Sequence, residues 1–183
     1  MNIIEKDRQY LWHPYTQHKT ASTPIAIVKG KGALLWDENG KEYIDAIGSW
    51  WVNPFGHSNT FVADAIYKQL TTLEHVLFGG FTHEPAVRVA EKLIPMLPSN
   101  QQKIFFSDNG STAVEVAIKV ALQYFYNKEE KRISIIAFED AFHGDTFAAM
   151  AASGISLYTP AFEGMFVDVI RIPVPSPGNE QLS

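Results

Sequence analysis

The sequence predicts an α/β protein, on three observations. Ile104-Phe105-Phe106 runs into a small-residue turn, Ser107-Asp108-Asn109-Gly110-Ser111-Thr112, and then into a helical pattern from Ala113 to Tyr126. Ile133-Ser134-Ile135-Ile136-Ala137-Phe138 is a continuous apolar run rich in β-branched residues, as in a strand buried on both faces of a parallel sheet. Two short strand patterns flank Asp37-Glu38-Asn39-Gly40, a hairpin signal because Asn and Gly both tolerate positive φ.

Composition narrows the function classes. The 183 residues are 46% hydrophobic and 19% charged, which fits a chain with a packed core and not a disordered one. The net charge is -5, and no Lys/Arg stripe follows any predicted helix, which argues against a nucleic-acid face. There is no cysteine, so disulfides, zinc thiolate sites and cysteine nucleophiles are excluded. Met1 to Arg8 is charged and lacks the apolar core of a signal peptide, and no run approaches the ~18 apolar residues of a membrane span. The expected setting is the cytoplasm, with no membrane partner.

Residues 1–23 show no clear period. Pro14 biases His13 to an extended conformation, so Trp12-His13-Pro14-Tyr15-Thr16 reads as a loop or arm. It either packs on its own domain or serves as a lid or dimer contact. Ile25-Ala26-Ile27-Val28, Ala33-Leu34-Leu35-Trp36 and Glu42-Tyr43-Ile44-Asp45-Ala46 read as strands. Residues 48–57 form an aromatic loop. If it is extended, Trp50 and Trp51 point in opposite directions, and one of the pair is a ligand or interface candidate. Ser58 is placed to cap a helix through about Leu70. Gly79-Gly80 suggests a close backbone approach. Thr82 is placed to cap a helix that has Pro85 in its first turn and stops at Pro95 and Pro98.

The turn at 107–112 is the candidate site. The first N–H groups of a helix have no partner within it, and the dipole adds positive charge at that end. Gly110 would let the backbone approach a phosphate closely, and the Ser111 and Thr112 hydroxyls could donate to it. The same residues would equally serve as a plain helix cap at Asn109 or Ser111. Glu115 and Lys119, spaced i,i+4, read as a solvated face. The second strand leads into Glu139-Asp140-Ala141-Phe142-His143-Gly144-Asp145-Thr146, and a helix is predicted over Phe147 to Ala152. In a parallel sheet with right-handed crossovers both loops emerge at one strand edge, so one could hold a phosphate and the other a stacking ring. His143 alone reads as a structural histidine. Val167 to Ile172 reads as a further strand, followed by Pro173, Pro175, Pro177 and Gly178.

These motifs resemble the N-terminal part of the class III, fold-type I, pyridoxal-phosphate aminotransferases. The generic features are Asp108 to Thr112, the helix carrying Glu115, and Phe142-His143-Gly144-Asp145-Thr146. Three motifs resemble more specifically the branch that serves biotin biosynthesis. They are Trp12-His13-Pro14-Tyr15-Thr16, the Trp50-Trp51 pair, and His75-Val76-Leu77-Phe78-Gly79-Gly80-Phe81-Thr82-His83.

The resemblance implies a mainly parallel sheet with flanking helices and the cofactor pyridoxal 5'-phosphate. Gly110 and Ser111 would hold its phosphate and Phe142 would stack on its ring. Many relatives carry Tyr there, so a hydroxyl contribution is absent. Tyr15 and Trp50 would line the substrate pocket, with Asp145 a nearby structural polar residue. Residues 1–50 would be the arm and hairpin of a small domain, and 51–183 the first part of a large cofactor-binding domain. The branch converts 8-amino-7-oxononanoate to 7,8-diaminononanoate with S-adenosylmethionine as amino donor, as a homodimer with Gly79-Gly80 near the interface. The cofactor-bearing lysine, the carboxylate facing the pyridinium nitrogen and the arginine for the substrate carboxylate are expected beyond Ser183. No catalytic residue is therefore expected within this chain, and activity would need the remaining C-terminal polypeptide.

Overall fold

The computed structural model describes residues 1–154 and 159–175. The end of the proline-rich tail, Pro177 and Gly178, lies outside them. The chain divides into two compact units, Met1–Glu84 and Pro85–Ser183.

The first unit opens with a helix where the sequence suggested only an arm. α1 (Ile3–Tyr10) is fixed by a capping box: the Asn2 side chain accepts from the Glu5 N–H, and the Glu5 carboxylate accepts from the Asn2 N–H. The signal was Asn2-x-x-Glu5, which apolar periodicity over so short a span does not reveal. β1 (Ile27–Lys31), β2 (Leu34–Asp37) and β3 (Glu42–Ile44) form an antiparallel sheet in that order. The β2–β3 turn takes positive φ only at Gly40, not at Asn39. It is organised by the buried carboxylate of Asp37, which accepts from the N–H groups of Asn39 and Lys41 and from the Tyr43 hydroxyl. Burial acts to raise the Asp37 pKa, but the Lys41 N–H, the Tyr43 hydroxyl and the Asn39 N–H outweigh it and hold the group below its ordinary value.

α2 (Gly48–Trp51) is a single turn and a left-handed one, not the extended loop expected. Gly48, Ser49, Trp50 and Trp51 have φ of 55°, 49°, 69° and 64°. α3 (Thr60–Leu70) is capped by Asn59, whose side chain accepts from the Val62 N–H. Ser58, the expected cap, sits one residue too early, and its hydroxyl instead donates to the Gly30 carbonyl.

The second unit begins along α4 (Glu84–Leu93), with Pro85 in its first turn; Thr82 lies one residue outside the cap position. Ile104-Phe105-Phe106 does not form the expected strand, because it has no ladder with either strand of this unit. α5 (Gly110–Asn127) is the longest helix described. β4 (Ile135–Phe138) pairs in parallel with β5 (Val169–Ile172), and α6 (Phe147–Ala152) lies between them in sequence.

The core of this unit is made of small residues. Ala148, Ala149, Ala151 and Ala152 of α6 and Ala137 of β4 are the buried apolar side chains, and they let α6 approach α5 and β4 closely. Much apolar surface stays uncovered. In this unit Phe105, Ile136 and Phe142 are among the large apolar side chains left exposed. Replacing Ala149, fully buried, with Leu would overpack this contact and lower unfolding stability by about 1–3 kcal/mol. Urea unfolding of the variant beside the parent chain measures it.

Candidate functional site

In the second unit, Asn109 is the N-cap of α5, so the capping reading of the turn is correct at that residue. Its side chain accepts from the Thr112 N–H, while the Thr112 hydroxyl accepts from the Asn109 N–H and donates to the Asn109 carbonyl. Ser107 Oγ also donates to the Thr112 hydroxyl at 2.6 Å. Thr112 is thus committed to the cap. The Ser111 hydroxyl turns the other way. It donates to Thr146 Oγ1 and accepts from the Thr146 N–H, both at 2.9 Å. Both hydroxyls are thus engaged with protein partners. The groups left for an incoming anion are the backbone N–H groups of Gly110 and Ser111, which have no carbonyl within the helix. Open space lies where a Gly110 side chain would stand.

The bonds from Ser111 to Thr146 dock the loop after β4 onto the start of α5, so the two loops meet as expected although the strand before the first of them, on which that expectation rested, is not formed. Gly144 makes the approach possible. It has φ 119°, and a Cβ there would lie 2.5 Å from the Ser111 Cβ. Behind Thr146 stands Glu115, which corrects its reading as a solvated residue. One carboxylate oxygen accepts from the Thr146 hydroxyl at 2.8 Å and from the Ala148 and Ala149 N–H groups at 3.1 and 3.2 Å. A carboxylate at the N-terminus of α6 complements the helix dipole. At the other end, the Arg171 guanidinium donates to the carbonyls of Ala151, Ala152 and Ser153. His143 is held through its backbone, whose N–H donates to Ser153 Oγ at 2.9 Å. The adjoining Phe142 ring is exposed, on the loop that packs against Ser111. Removing the Glu115 carboxylate by Glu115→Ala would orphan donors from two elements. It should cost about 2 kcal/mol of unfolding stability, where Glu115→Gln, which keeps an acceptor oxygen, costs less; chemical denaturation of both variants checks this.

In the first unit, the structure brings Tyr15 and Trp50 together. Their rings are parallel, 11° apart, with centroids at 6.3 Å, and Trp51 meets Trp50 edge-on at 5.5 Å. All three rings are exposed. Three non-glycine residues in the left-handed region cost roughly 1–2 kcal/mol each. The turn is held from behind by Asp45. Its Oδ1 accepts from the Ser49 N–H at 2.8 Å, and its Oδ2 accepts from the Ser49 hydroxyl at 2.7 Å and from His57 Nε2 at 2.8 Å. Sequence reading passed over Asp45 and His57, since a carboxylate at a strand end is an ordinary sight. The Ser49 N–H and hydroxyl and then His57 lower the Asp45 pKa from 3.8 to about 2. A pKa depressed in the folded state gives stabilisation that is complete above pH 3.8 and lost as pH falls through about 2. Trp50 emission, taken as the difference from a Trp50→Phe variant, should hold steady above pH 3.8 and change in that acid window.

A model of the family "Aminotransferase class-III" matches residues 15–183, and the chain belongs to that family. It is 50% identical over 166 residues to adenosylmethionine-8-amino-7-oxononanoate aminotransferase of Synechococcus elongatus, covering 91% of this chain and 39% of that protein. The crystal structure of the enzyme of that name from Methanocaldococcus jannaschii superposes with a TM-score of 0.87 at 36% identity, covering 93% of this chain and 40% of that one. An omega transaminase from Pseudomonas jessenii, solved in complex with PMP, also gives 0.87, at 30% identity and covering 96% and 40%. The α/β fold is therefore that of the class III transaminases, and the chain spans about 39% of the length of the curated relatives it matches. Among the described residues no helix is long and apolar enough to cross a membrane.

Proposed function

We propose that this chain contributes the phosphate end of the cofactor site and one aromatic wall of the substrate site to an aminotransferase of biotin biosynthesis. The reaction is amination of 8-amino-7-oxononanoate to 7,8-diaminononanoate, with S-adenosylmethionine as the amino donor. The observation that carries the reading is the docking of the loop bearing Phe142 onto the N-terminus of α5 through Ser111, Thr146 and Glu115. Family membership and the 50% identical relative, whose name carries adenosylmethionine and 8-amino-7-oxononanoate, support this substrate class.

The residues present fit pyridoxal 5'-phosphate. A phosphate monoester is matched by two N–H groups at a helix N-terminus and by the open space over Gly110. The exposed Phe142 ring is available for a pyridine face. The cofactor, when bound, supplies an electron sink that lets the carbon bearing the amino group give up its proton. What this chain does is bind and orient. Gly110 and Ser111 fix the phosphate through backbone N–H groups, Phe142 sets the ring plane, and Tyr15 and Trp50 offer apolar faces to the long aliphatic substrate. The lysine that takes and returns the proton is assigned to polypeptide beyond Ser183, and the active form to a homodimer in the cytoplasm. Residues 1–50 would then belong to a small domain and 51–183 to a large one. The uncovered apolar surface supports a chain that works only with further polypeptide against it.

A second reading, another class III ω-aminotransferase, is favoured by the Pseudomonas jessenii superposition. A donor panel on the active protein separates the two. The proposal expects turnover of 8-amino-7-oxononanoate with S-adenosylmethionine. Turnover of simple ω-amino acids, with none of that keto substrate, contradicts it.

A further inference from the structure

The left-handed turn at Gly48–Trp51 is unexplained by packing within its own unit. Four successive residues take positive φ, and only the first is glycine. The two large side chains on the turn, Trp50 and Trp51, are 65% and 74% exposed, so the conformation gains little burial in return. Strain of this kind persists only where the surroundings enforce it, and it concentrates at ligand sites.

The enforcing group is Asp45, and a continuous set of bonds runs from the sheet to the rings. His57 is fixed to the edge of the sheet by two backbone bonds, its N–H to the Gly32 carbonyl at 2.8 Å and its carbonyl from the Gly32 N–H at 3.0 Å. Gly30 keeps the space His57 needs, since a Cβ there would meet the His57 Cβ at 2.8 Å. The imidazole lies between the Asn53 amide at its Nδ1 and Asp45 at its Nε2. It holds Asp45, whose side chain is 7% exposed, and Asp45 grips both polar hydrogens of Ser49. Ser49 precedes Trp50, and Trp50 carries the stack with Tyr15. Sheet, His57, Asp45, Ser49 and Trp50 form one mechanical path.

We propose that Asp45, acting through Ser49 and anchored by His57, is a positioning residue that sets the Tyr15–Trp50–Trp51 ring stack for the substrate. This rests on the reading of Tyr15 and Trp50 as a substrate wall. Asp45 itself touches no reacting atom. Its loss acts on binding in ground and transition state alike, so it raises KM and leaves kcat nearly unchanged.

The test uses Asp45→Asn and Ser49→Ala, with Trp50→Ala as reference and Asp37→Asn as control. Asp37 organises a turn of the same sheet and lies outside the path, so its variant reports general destabilisation. Two edge-on indoles couple as excitons, and the far-ultraviolet circular dichroism couplet reads their geometry. The couplet falls by more than half in Asp45→Asn, falls less in Ser49→Ala, and persists in Asp37→Asn. On the active protein, the KM for the keto substrate rises about tenfold in Asp45→Asn, as expected for loss of a charge-assisted hydrogen bond. An unchanged couplet in both Asp45→Asn and Ser49→Ala overturns the inference, as does an equal KM rise in Asp37→Asn. If Trp50→Ala raises KM and Asp45→Asn does not, the inference alone fails. If Trp50→Ala leaves KM untouched, the substrate-wall reading fails and takes the inference with it.

Discussion

The Glu115 carboxylate is the interaction on which the second unit depends. α6 is six residues long, and its buried face is made of alanine methyl groups. A helix that short does not form on propensity, and alanine burial is a weak drive for docking it. Charge does what bulk cannot. Glu115 accepts from the first N–H groups of α6, and Arg171 donates to its last carbonyls, so opposite charges sit at the dipole's two ends. Thr146 bonds the same carboxylate, which places the start of α6 and the end of the preceding loop at one fixed point on α5.

From that point the candidate site follows. With Thr146 held, the Ser111 hydroxyl is drawn inward, and the Gly144 backbone lies flat against it. The loop carrying Phe142 is thereby pinned to the helix end whose N–H groups are free of the helix. The serine's side chain thus serves the architecture, while its backbone N–H is left without a carbonyl in the helix. The first unit uses the same device at a different place. A carboxylate, Asp45, holds a turn that its own sequence would not choose, and the turn holds two indole rings. In both units an acidic side chain accepts from backbone N–H groups, and in doing so it fixes the conformation of residues several positions away.

Sequence reading recovered what local pattern encodes. The hairpin at Asn39-Gly40 and the helix over Phe147–Ala152 are where periodicity and turn residues put them, and a strand forms within the run Ile133–Phe138, over Ile135–Phe138, with Ile136 and Phe138 exposed and not buried on both faces as expected. The two loops do meet, but through the Ser111–Thr146 bonds and not through paired strands as the crossover rule required. The misses share a cause. Glu115 at i,i+4 to Lys119 looks like a surface pair, because its real partners are thirty residues away and invisible to local spacing. The left-handed turn was missed because Ser and Trp rarely adopt that conformation, and Asp45 enforces it from outside the turn. Ile104-Phe105-Phe106 has strand composition, but composition does not supply a neighbouring strand. α1 was signalled, by Asn2 and Glu5, in capping chemistry and not in hydrophobic period.

The N-terminal turn of α5, braced by Glu115, leaves the Gly110 and Ser111 N–H groups without a carbonyl in the helix, and the proposed function has a phosphate take them. Amide hydrogen exchange at Gly110 and Ser111, with and without pyridoxal phosphate, is the deciding measurement. Exchange at these two amides should slow markedly when the cofactor binds, more than at Thr112 and Ala113, which are already bonded to Asn109. Cofactor binding with no added protection at Gly110 and Ser111 would contradict the claim and place the phosphate elsewhere.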